Sequence, residues 1–195
     1  MDGTKKLILD TALDMISVRG FDSVSVRDIC GKVGIKESSL YYHFTNKRAI
    51  LDTLVENFHD MSESMYRSLY DSLGNVASFS PEKMVALTLK YYTDYLNGDE
   101  FNKLIHIMHI EQNNSDDIAA LYATMLFEWP TSVFKLCFEL LIKSGAFPNI
   151  SADSLAEIYC SVIYSVYFEQ ASSRTPVRDA VGILYNRLLF LFSRF

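Results

Sequence analysis

Residues 25–44 read SVRDICGKVGIKESSLYYHF, a pattern that predicts two short helices joined by a tight turn. Ser25 suits the position before the first helix, and Asp28 stands three residues later, where its carboxylate can return the bond in a capping box. Gly34 can adopt the left-handed backbone conformation that ends this helix. The second helix begins with polar residues and ends with aromatic ones. The stretch therefore predicts a helix-turn-helix, whose second helix can bring its first residues to the edges of DNA bases.

This motif lies inside a longer pattern that runs from about Thr4 to Leu54. Its parts, in chain order, are Ile8, Ala12 and Ile16 of a first helix, Arg19-Gly20-Phe21, Val26-Arg27-Asp28-Ile29, Val33-Gly34-Ile35, Leu40-Tyr41-Tyr42-His43-Phe44 and Lys47. In order and spacing, the pattern resembles the TetR-type bacterial transcriptional regulators. The resemblance implies a DNA-binding helix-turn-helix domain over residues 1–48 and a larger domain for effector binding and dimerisation over residues 49–195.

Helical periodicity recurs along the whole chain, whereas no segment alternates convincingly as a strand would. The predicted helices are residues 4–19, 26–33, 37–43, 47–73, 81–97, 100–113, 115–144, 152–172 and 176–194. Pro130 lies inside the seventh of them, where it removes a backbone donor and frees a carbonyl about one turn earlier, near Leu126. The chain is therefore predicted to be all-α, with about nine helices and a kink beside Trp129.

Charge is distributed unevenly along the chain. The net charge is −6 at pH 7, which by itself argues against a nucleic-acid partner. Residues 1–50, however, carry eight Lys and Arg against six Asp and Glu, a net of +2, so the remainder carries −8. This asymmetry fits a DNA-binding head on an acidic body, although so small an excess of positive charge in residues 1–50 is also found on ordinary solvated surfaces.

The three cysteines are far apart and lie among apolar neighbours, as reduced core cysteines of a cytosolic protein do. The amino terminus has Asp2 and no long apolar run, so no signal peptide is predicted. The apolar stretch 182–192 is interrupted by Asn186 and Arg187, and a membrane span needs roughly 20 apolar residues. We therefore expect a cytoplasmic protein without a membrane partner.

Four polar residues stand in the turn that faces the major groove in the resembled family. Lys36 can bind phosphate or guanine, and Glu37 can accept a hydrogen bond from cytosine N4. Ser38 stands where the family often has glycine or another small residue, which allows the backbone to approach DNA closely. Ser39 completes the set.

A second group is predicted to contact the sugar-phosphate backbone. By the same resemblance, its members are Ser25, Arg27, Tyr41, Tyr42 and His43. Tyr42 has an alternative role in packing on the first helix. Lys47 joins the group because a lysine in the first turn of a helix opposes the helix dipole, and a nearby phosphate would offset that cost. A solvated lysine is the alternative.

The body of the chain is rich in bulky aromatic residues, mixed with polar residues that would need partners if buried. In the resembled family this region holds the effector pocket. The residues predicted to line it are Tyr91, Tyr92, Tyr95, His106, His109, Tyr122, Leu126 and Trp129. Each can instead be ordinary core. The two histidines share a helical face without a clear third ligand, so no metal site is predicted.

The last two predicted helices carry broad apolar stripes. These can pack with a symmetry mate into a four-helix bundle, or they can only close the core of the monomer. The predicted interface residues are Leu155, Tyr159, Val162, Val166, Leu184, Leu188 and Leu191.

Three functions compete for this sequence. The leading one is a homodimeric transcriptional regulator, commonly a repressor in the resembled family, that binds double-stranded palindromic operator DNA and is released by a small apolar or aromatic effector. The second is a structural DNA-binding protein that needs no effector. The third, an all-α enzyme, lacks support because no nucleophile-elbow, zinc-protease, phosphate-loop or dinucleotide motif is present. We therefore predict no catalytic residue and no cofactor.

Overall fold

The computed structural model describes residues 3–73, 79–148 and 150–193, and every regular element in them is helical. The α-helices are α1 (Gly3–Arg19), α2 (Val26–Val33), α3 (Glu37–His43), α4 (Lys47–Leu73), α5 (Pro81–Lys90), α6 (Asp99–Glu111), α7 (Asp116–Ala123), α8 (Trp129–Lys143), α9 (Ala152–Ser173) and α10 (Val177–Phe192). The all-α prediction is confirmed. None of the helices in these ranges combines the length and the apolar character that a membrane crossing requires.

Two π-helical segments account for the main differences between the predicted helices and the observed elements. Tyr91–Leu96 continues α5, so the predicted helix 81–97 is part α-helix and part π-helix. Thr124–Glu128 joins α7 to α8, so the predicted helix 115–144 is also composite. The last predicted helix extends to residue 194, which lies outside the described residues.

Local capping sets several helix boundaries. The Ser80 hydroxyl accepts a hydrogen bond from the Lys83 N–H at 3.3 Å, and Pro81 occupies the first helical position of α5. The Ser151 hydroxyl accepts from the Ser154 N–H at 3.3 Å in the same way at the start of α9. Each cap satisfies a backbone donor that the helix itself cannot, an effect worth about 1 kcal/mol.

The chain forms two compact units. The first consists of Met1–Ser62 with Asp99–Ala123, and the second of Glu63–Gly98 with Thr124–Phe195. The first unit therefore contains the predicted helix-turn-helix together with α6 and α7. A functional division at residue 48 stays a prediction.

The first unit has an apolar core to which α1, α4 and α6 contribute. Ile8, Ala12 and Ile16 of α1 have at most 1% of their surface exposed. Phe58 of α4 stacks on Phe101 of α6, with 5.4 Å between the ring centroids. The spacing of Ile8, Ala12 and Ile16 follows the helical repeat, so one face of α1 is buried and the other is left to solvent.

The second unit contains a buried polar contact beside Pro130. Pro130 has no N–H, so it cannot donate to the carbonyl of Leu126, four residues earlier. The Tyr164 hydroxyl of α9 donates to this carbonyl instead. Tyr164 Oη also lies 3.0 Å from Tyr91 Oη, and both tyrosines are buried.

The three cysteines are free and buried. Cys30 lies in the first unit, and burial followed by the charge of Glu37 raises the pKa of its thiol. Cys137 and Cys160 lie in the second unit, where burial raises the pKa of Cys137 to about 12 and that of Cys160 to about 11. The thiols are therefore protonated at neutral pH.

Candidate DNA-binding site

The turn between α2 and α3 has the geometry that its sequence requires. The Ser25 hydroxyl accepts from the Asp28 N–H at 3.1 Å, and the Asp28 carboxylate accepts from the Ser25 N–H at 2.9 Å. Hydrogen bonds from the Ser25 backbone, and then from its hydroxyl, lower the pKa of Asp28. Gly34 has φ 81° and donates its N–H to the Cys30 carbonyl at 2.8 Å. The capping box and the left-handed helix end are thus both formed.

The α3 helix presents its polar residues and buries its apolar ones. Lys36, Glu37, Ser38 and Ser39 are all exposed, whereas Leu40 is fully buried. Phe44, directly after the helix, is 4% exposed. The buried pair anchors α3 to the unit, so its first turn is available to a groove of DNA.

The tyrosines at the end of α3 are exposed as well. Tyr41 has 49% of its surface accessible and Tyr42 has 84%. An exposure this high excludes the alternative in which Tyr42 packs on α1. The ring of Tyr42 meets the half-buried His43 edge-on, with 5.1 Å between their centroids. Their contacts with the sugar-phosphate backbone stay a prediction.

An ion pair connects the two helices of the motif. Arg27 Nε of α2 lies 3.3 Å from Glu37 Oε1 at the start of α3. Their side chains are 89% and 45% exposed, so solvent screens the pair strongly. The sequence predicts that Arg27 contacts a phosphate and that Glu37 contacts a base. Because the two side chains pair with each other, either must leave its partner before it can contact DNA.

Lys47 has partners that the sequence did not suggest. Its ammonium donates to the carbonyl of Phe21 at 2.8 Å and to that of Val24 at 2.9 Å. The same nitrogen lies 4.0 Å from the centroid of the Phe21 ring. Lys47 therefore holds the loop between α1 and α2. An ammonium has three donors, and its contact with phosphate stays a prediction.

The residues predicted to line an effector pocket are divided between the two units. His106, His109 and Tyr122 lie in the first, where Tyr122 Oη is 3.3 Å from His109 Nδ1. Burial, followed by the charge of His109, lowers the pKa of His106. In the described parts of the chain, no three His, Cys, Asp or Glu side chains are grouped as metal ligands would be.

The remaining five predicted pocket residues lie in the second unit. Tyr91, Tyr92 and Leu126 are buried, whereas Tyr95 and Trp129 are half-buried. The Tyr92 hydroxyl donates to Gln170 Oε1 at 2.7 Å. The assignment of these residues to a pocket stays a prediction. One of the five, Trp129, lines a cleft.

That cleft, here called the aromatic cleft, has a volume of about 340 Å³ and is lined by Glu63, Tyr66, Arg67, Tyr70 and Trp129. The rings of Tyr66 and Trp129 lie 4.8 Å apart, and Tyr66 Oη is 3.3 Å from the Ser132 hydroxyl. Tyr66 and Tyr70 were not predicted. Their spacing of four residues on α4, which places both on one helical face, is the signal that was available.

The residues predicted for the dimer interface require a correction. Five of them are at most 3% exposed: Leu155, Tyr159, Val166, Leu184 and Leu188. A side chain already buried in its own chain has no surface to offer a partner. Val162 and Leu191 are half-buried.

Other sides of α9 and α10 expose large apolar side chains, and one of these sides is here called the outer face. This outer face consists of Ile158 and Phe168 of α9, with Ile183 and Phe190 of α10, which are 51%, 38%, 42% and 60% exposed. Within it, an Arg187 guanidinium nitrogen lies 2.8 Å from Glu169 Oε2 and so joins the two helices. Four large apolar side chains at helical spacing form a patch of the kind found at interfaces.

Comparison with known proteins gives matches to the head and to most of the chain. The family described as "Bacterial regulatory proteins, tetR family" matches residues 8–54. The transcriptional repressor KstR2 of Mycobacterium tuberculosis is 38% identical over 68 residues, a match that spans 35% of this chain and only 34% of KstR2. The negative transcriptional regulator IcaR of the Staphylococcus aureus biofilm operon is 30% identical over 151 residues, which span 72% of this chain and 81% of IcaR.

Among solved structures, the MbdR regulator from Azoarcus sp. CIB superposes with a TM-score of 0.74. The match covers 96% of this chain and 97% of MbdR at 18% identity. At this identity the likeness concerns the fold.

Proposed function

Because the chain belongs to the tetR family of bacterial regulatory proteins, whose members are DNA-binding regulators and not enzymes, we propose that it is a repressor. In this proposal it binds a palindromic operator as a homodimer and leaves it when a small apolar or aromatic effector binds. The observation that carries the proposal is α3, which is anchored by buried Leu40 while the residues from Lys36 to Ser39 are exposed.

The first turn of α3 enters the major groove in this proposal. Ser38 and Ser39 are short enough to let the helix approach, and Lys36 and Glu37 then reach base edges or phosphates. The sugar-phosphate backbone around this turn is contacted by the second group of predicted residues, namely Ser25, Arg27, Tyr41, Tyr42, His43 and Lys47. Such contacts fix the position of the protein on the duplex, while the base contacts select the sequence.

The outer face supports a homodimer. One helix-turn-helix contacts too few base pairs to select an operator, whereas two heads can read half-sites roughly 34 Å apart. Burying the exposed surfaces of Ile158, Phe168, Ile183 and Phe190 against the same residues of a second copy would remove them from water. Because the four residues lie on two adjacent helices, an isologous contact forms a four-helix arrangement.

The aromatic cleft supports a planar aromatic effector. Tyr66, Tyr70 and Trp129 provide stacking surfaces, and aromatic pairs gain roughly 0.5–1.5 kcal/mol beyond the burial of their area. Glu63 and Arg67 provide a charge of each sign at its edge. An effector can release DNA only if it binds the DNA-free arrangement more tightly than the DNA-bound one.

The test is to select genomic fragments with the purified protein and to measure their affinity by fluorescence anisotropy against random duplex. We expect a palindromic fragment that is preferred by at least a hundredfold, with two chains bound per palindrome. Equal affinity for genomic and random duplex would contradict the proposal. Specific binding that no aromatic ligand changes would favour the effector-independent structural protein instead.

A further inference from the structure

Glu111 is a buried carboxylate in the first unit, at the last residue of α6. Only 5% of its surface is exposed. Its Oε1 accepts from the backbone N–H of Phe21 at 3.3 Å, and its Oε2 accepts from the Asn114 side-chain amide at 3.4 Å. A carboxylate is rarely buried unless its oxygens have partners, because it loses its hydration. The partner of interest is Phe21, which lies 90 residues away in the chain.

The Phe21 peptide is held from both sides. Its N–H donates to Glu111, and its carbonyl accepts from the Lys47 ammonium at 2.8 Å. Directly before it, Gly20 has φ +77°, a conformation that other residues rarely adopt, and the position of a Cβ on Gly20 would lie 3.8 Å from Ile110 of α6. The end of α1 is thus fitted closely to the end of α6.

The loop that Glu111 holds connects to both sides of the helix-turn-helix. Lys47, which begins α4 shortly after α3, donates to the Val24 carbonyl as well as to that of Phe21. Val24 is fully buried and immediately precedes Ser25, the cap of α2. A displacement of the Phe21 peptide would therefore act on the start of α2 and on the start of α4 together.

We propose that Glu111 is a positioning residue for DNA binding, which acts through the Phe21 peptide without contacting DNA. The inference rests on the proposed function. The carboxylate fixes the Phe21 N–H, the carbonyl of the same residue fixes Lys47, and the α2–α3 pair is held in the orientation that fits the groove. Recognition sites require their supporting residues to be held to within roughly 0.5 Å, so loss of the acceptor weakens operator binding.

The experiment compares three variants of the full chain. Glu111→Met removes the acceptor while keeping a long side chain, whereas Glu111→Gln keeps an oxygen that can accept from Phe21. Gln112→Met is the matched control, because Gln112 is the next residue and its side chain bonds only to His109 in the contacts described. Operator affinity is measured by anisotropy well below the unfolding temperature, and exchange of the Phe21 amide is measured by NMR on DNA-free protein labelled with ¹⁵N-phenylalanine.

We expect Glu111→Met to weaken operator binding about tenfold, which corresponds to roughly 1.4 kcal/mol, and to accelerate exchange of the Phe21 amide. Glu111→Gln and Gln112→Met should stay within about threefold of wild type in operator affinity, a difference of less than roughly 1 kcal/mol. Unchanged operator affinity in a folded Glu111→Met variant would overturn the proposal, even if its melting temperature falls. Loss of affinity in Glu111→Gln equal to that in Glu111→Met would also overturn it, because the accepting oxygen would then be irrelevant.

Two further outcomes are separated by the design. If Glu111→Met does not fold, Glu111→Gln decides alone: a neutral amide accepts more weakly than a carboxylate, so Phe21 must exchange faster than in wild type, and unchanged exchange contradicts the proposal. If the wild type prefers no duplex, the proposed function fails. The Phe21 exchange in DNA-free protein then still decides whether Glu111 positions this peptide.

Discussion

Replacing Tyr164 by phenylalanine would remove one hydroxyl from the interior of the second unit and leave the ring in place. That hydroxyl donates to the Leu126 carbonyl and lies 3.0 Å from Tyr91 Oη. Leu126 cannot use residue 130 as a donor, because Pro130 has no N–H. A buried polar group left without its partner costs roughly 1–3 kcal/mol, and two groups are affected. We expect Tyr164→Phe to lower the free energy of unfolding by about 2 kcal/mol or more.

The proline makes a decisive control possible. Pro130→Ala restores an N–H near the Leu126 carbonyl, so Tyr164→Phe should cost about 1 kcal/mol less in that background. Tyr70→Phe is the matched control for removing a hydroxyl, because Tyr70 is 53% exposed, and its effect should lie within roughly 0.5 kcal/mol of zero. Urea denaturation followed by circular dichroism measures all four changes. An equal cost of Tyr164→Phe in both backgrounds would refute the role of the Leu126 carbonyl.

Three other predictions concern DNA, the partner copy and the effector. Arg27→Ala should weaken binding to every duplex and reduce the slope of log affinity against log salt by roughly 0.9; an unchanged slope in anisotropy titrations would mean that Arg27 contacts no phosphate. Ile158→Asp should give monomers in sedimentation, whereas Tyr185→Asp, on another face of α10, should not; a monomeric wild type at micromolar concentration would rule out the dimer. Titration with naphthol should quench Trp129, the single tryptophan, and Tyr70→Ala should weaken that binding about three- to tenfold with operator affinity unchanged; emission that no aromatic ligand alters would argue against the cleft as a site.

The helix-turn-helix could be predicted from sequence because its rules are local. The Ser25–Asp28 capping box involves residues three apart, and Gly34 is required by the conformation of a single residue. Each is visible in a window of a few positions. The π-helical segments were harder to predict from sequence. A π-turn is only one residue longer than an α-turn, so the periodicity of the apolar residues hardly changes.

The partners of Lys47 and the apolar face that α9 exposes could not be predicted, for two different reasons. The carbonyls that Lys47 binds lie 26 and 23 residues away, and no local pattern indicates that they approach it. For α9, an apolar stripe predicts that one side of the helix is buried, but it does not indicate whether the same chain or a second copy buries it. Tyr159 and Ile158 are adjacent and both apolar, yet one is fully buried and the other is 51% exposed.

The buried thiols provide each unit with a chemical reporter of its own opening. An alkylating reagent reacts with the thiolate, and burial both blocks access and raises the pKa of all three cysteines. Labelling at Cys30 therefore measures how often the helix-turn-helix opens, and labelling at Cys137 and Cys160 measures how often the second unit opens. Mass spectrometry of the labelled peptides would thus give the local stability of both units in one sample, without any engineered probe.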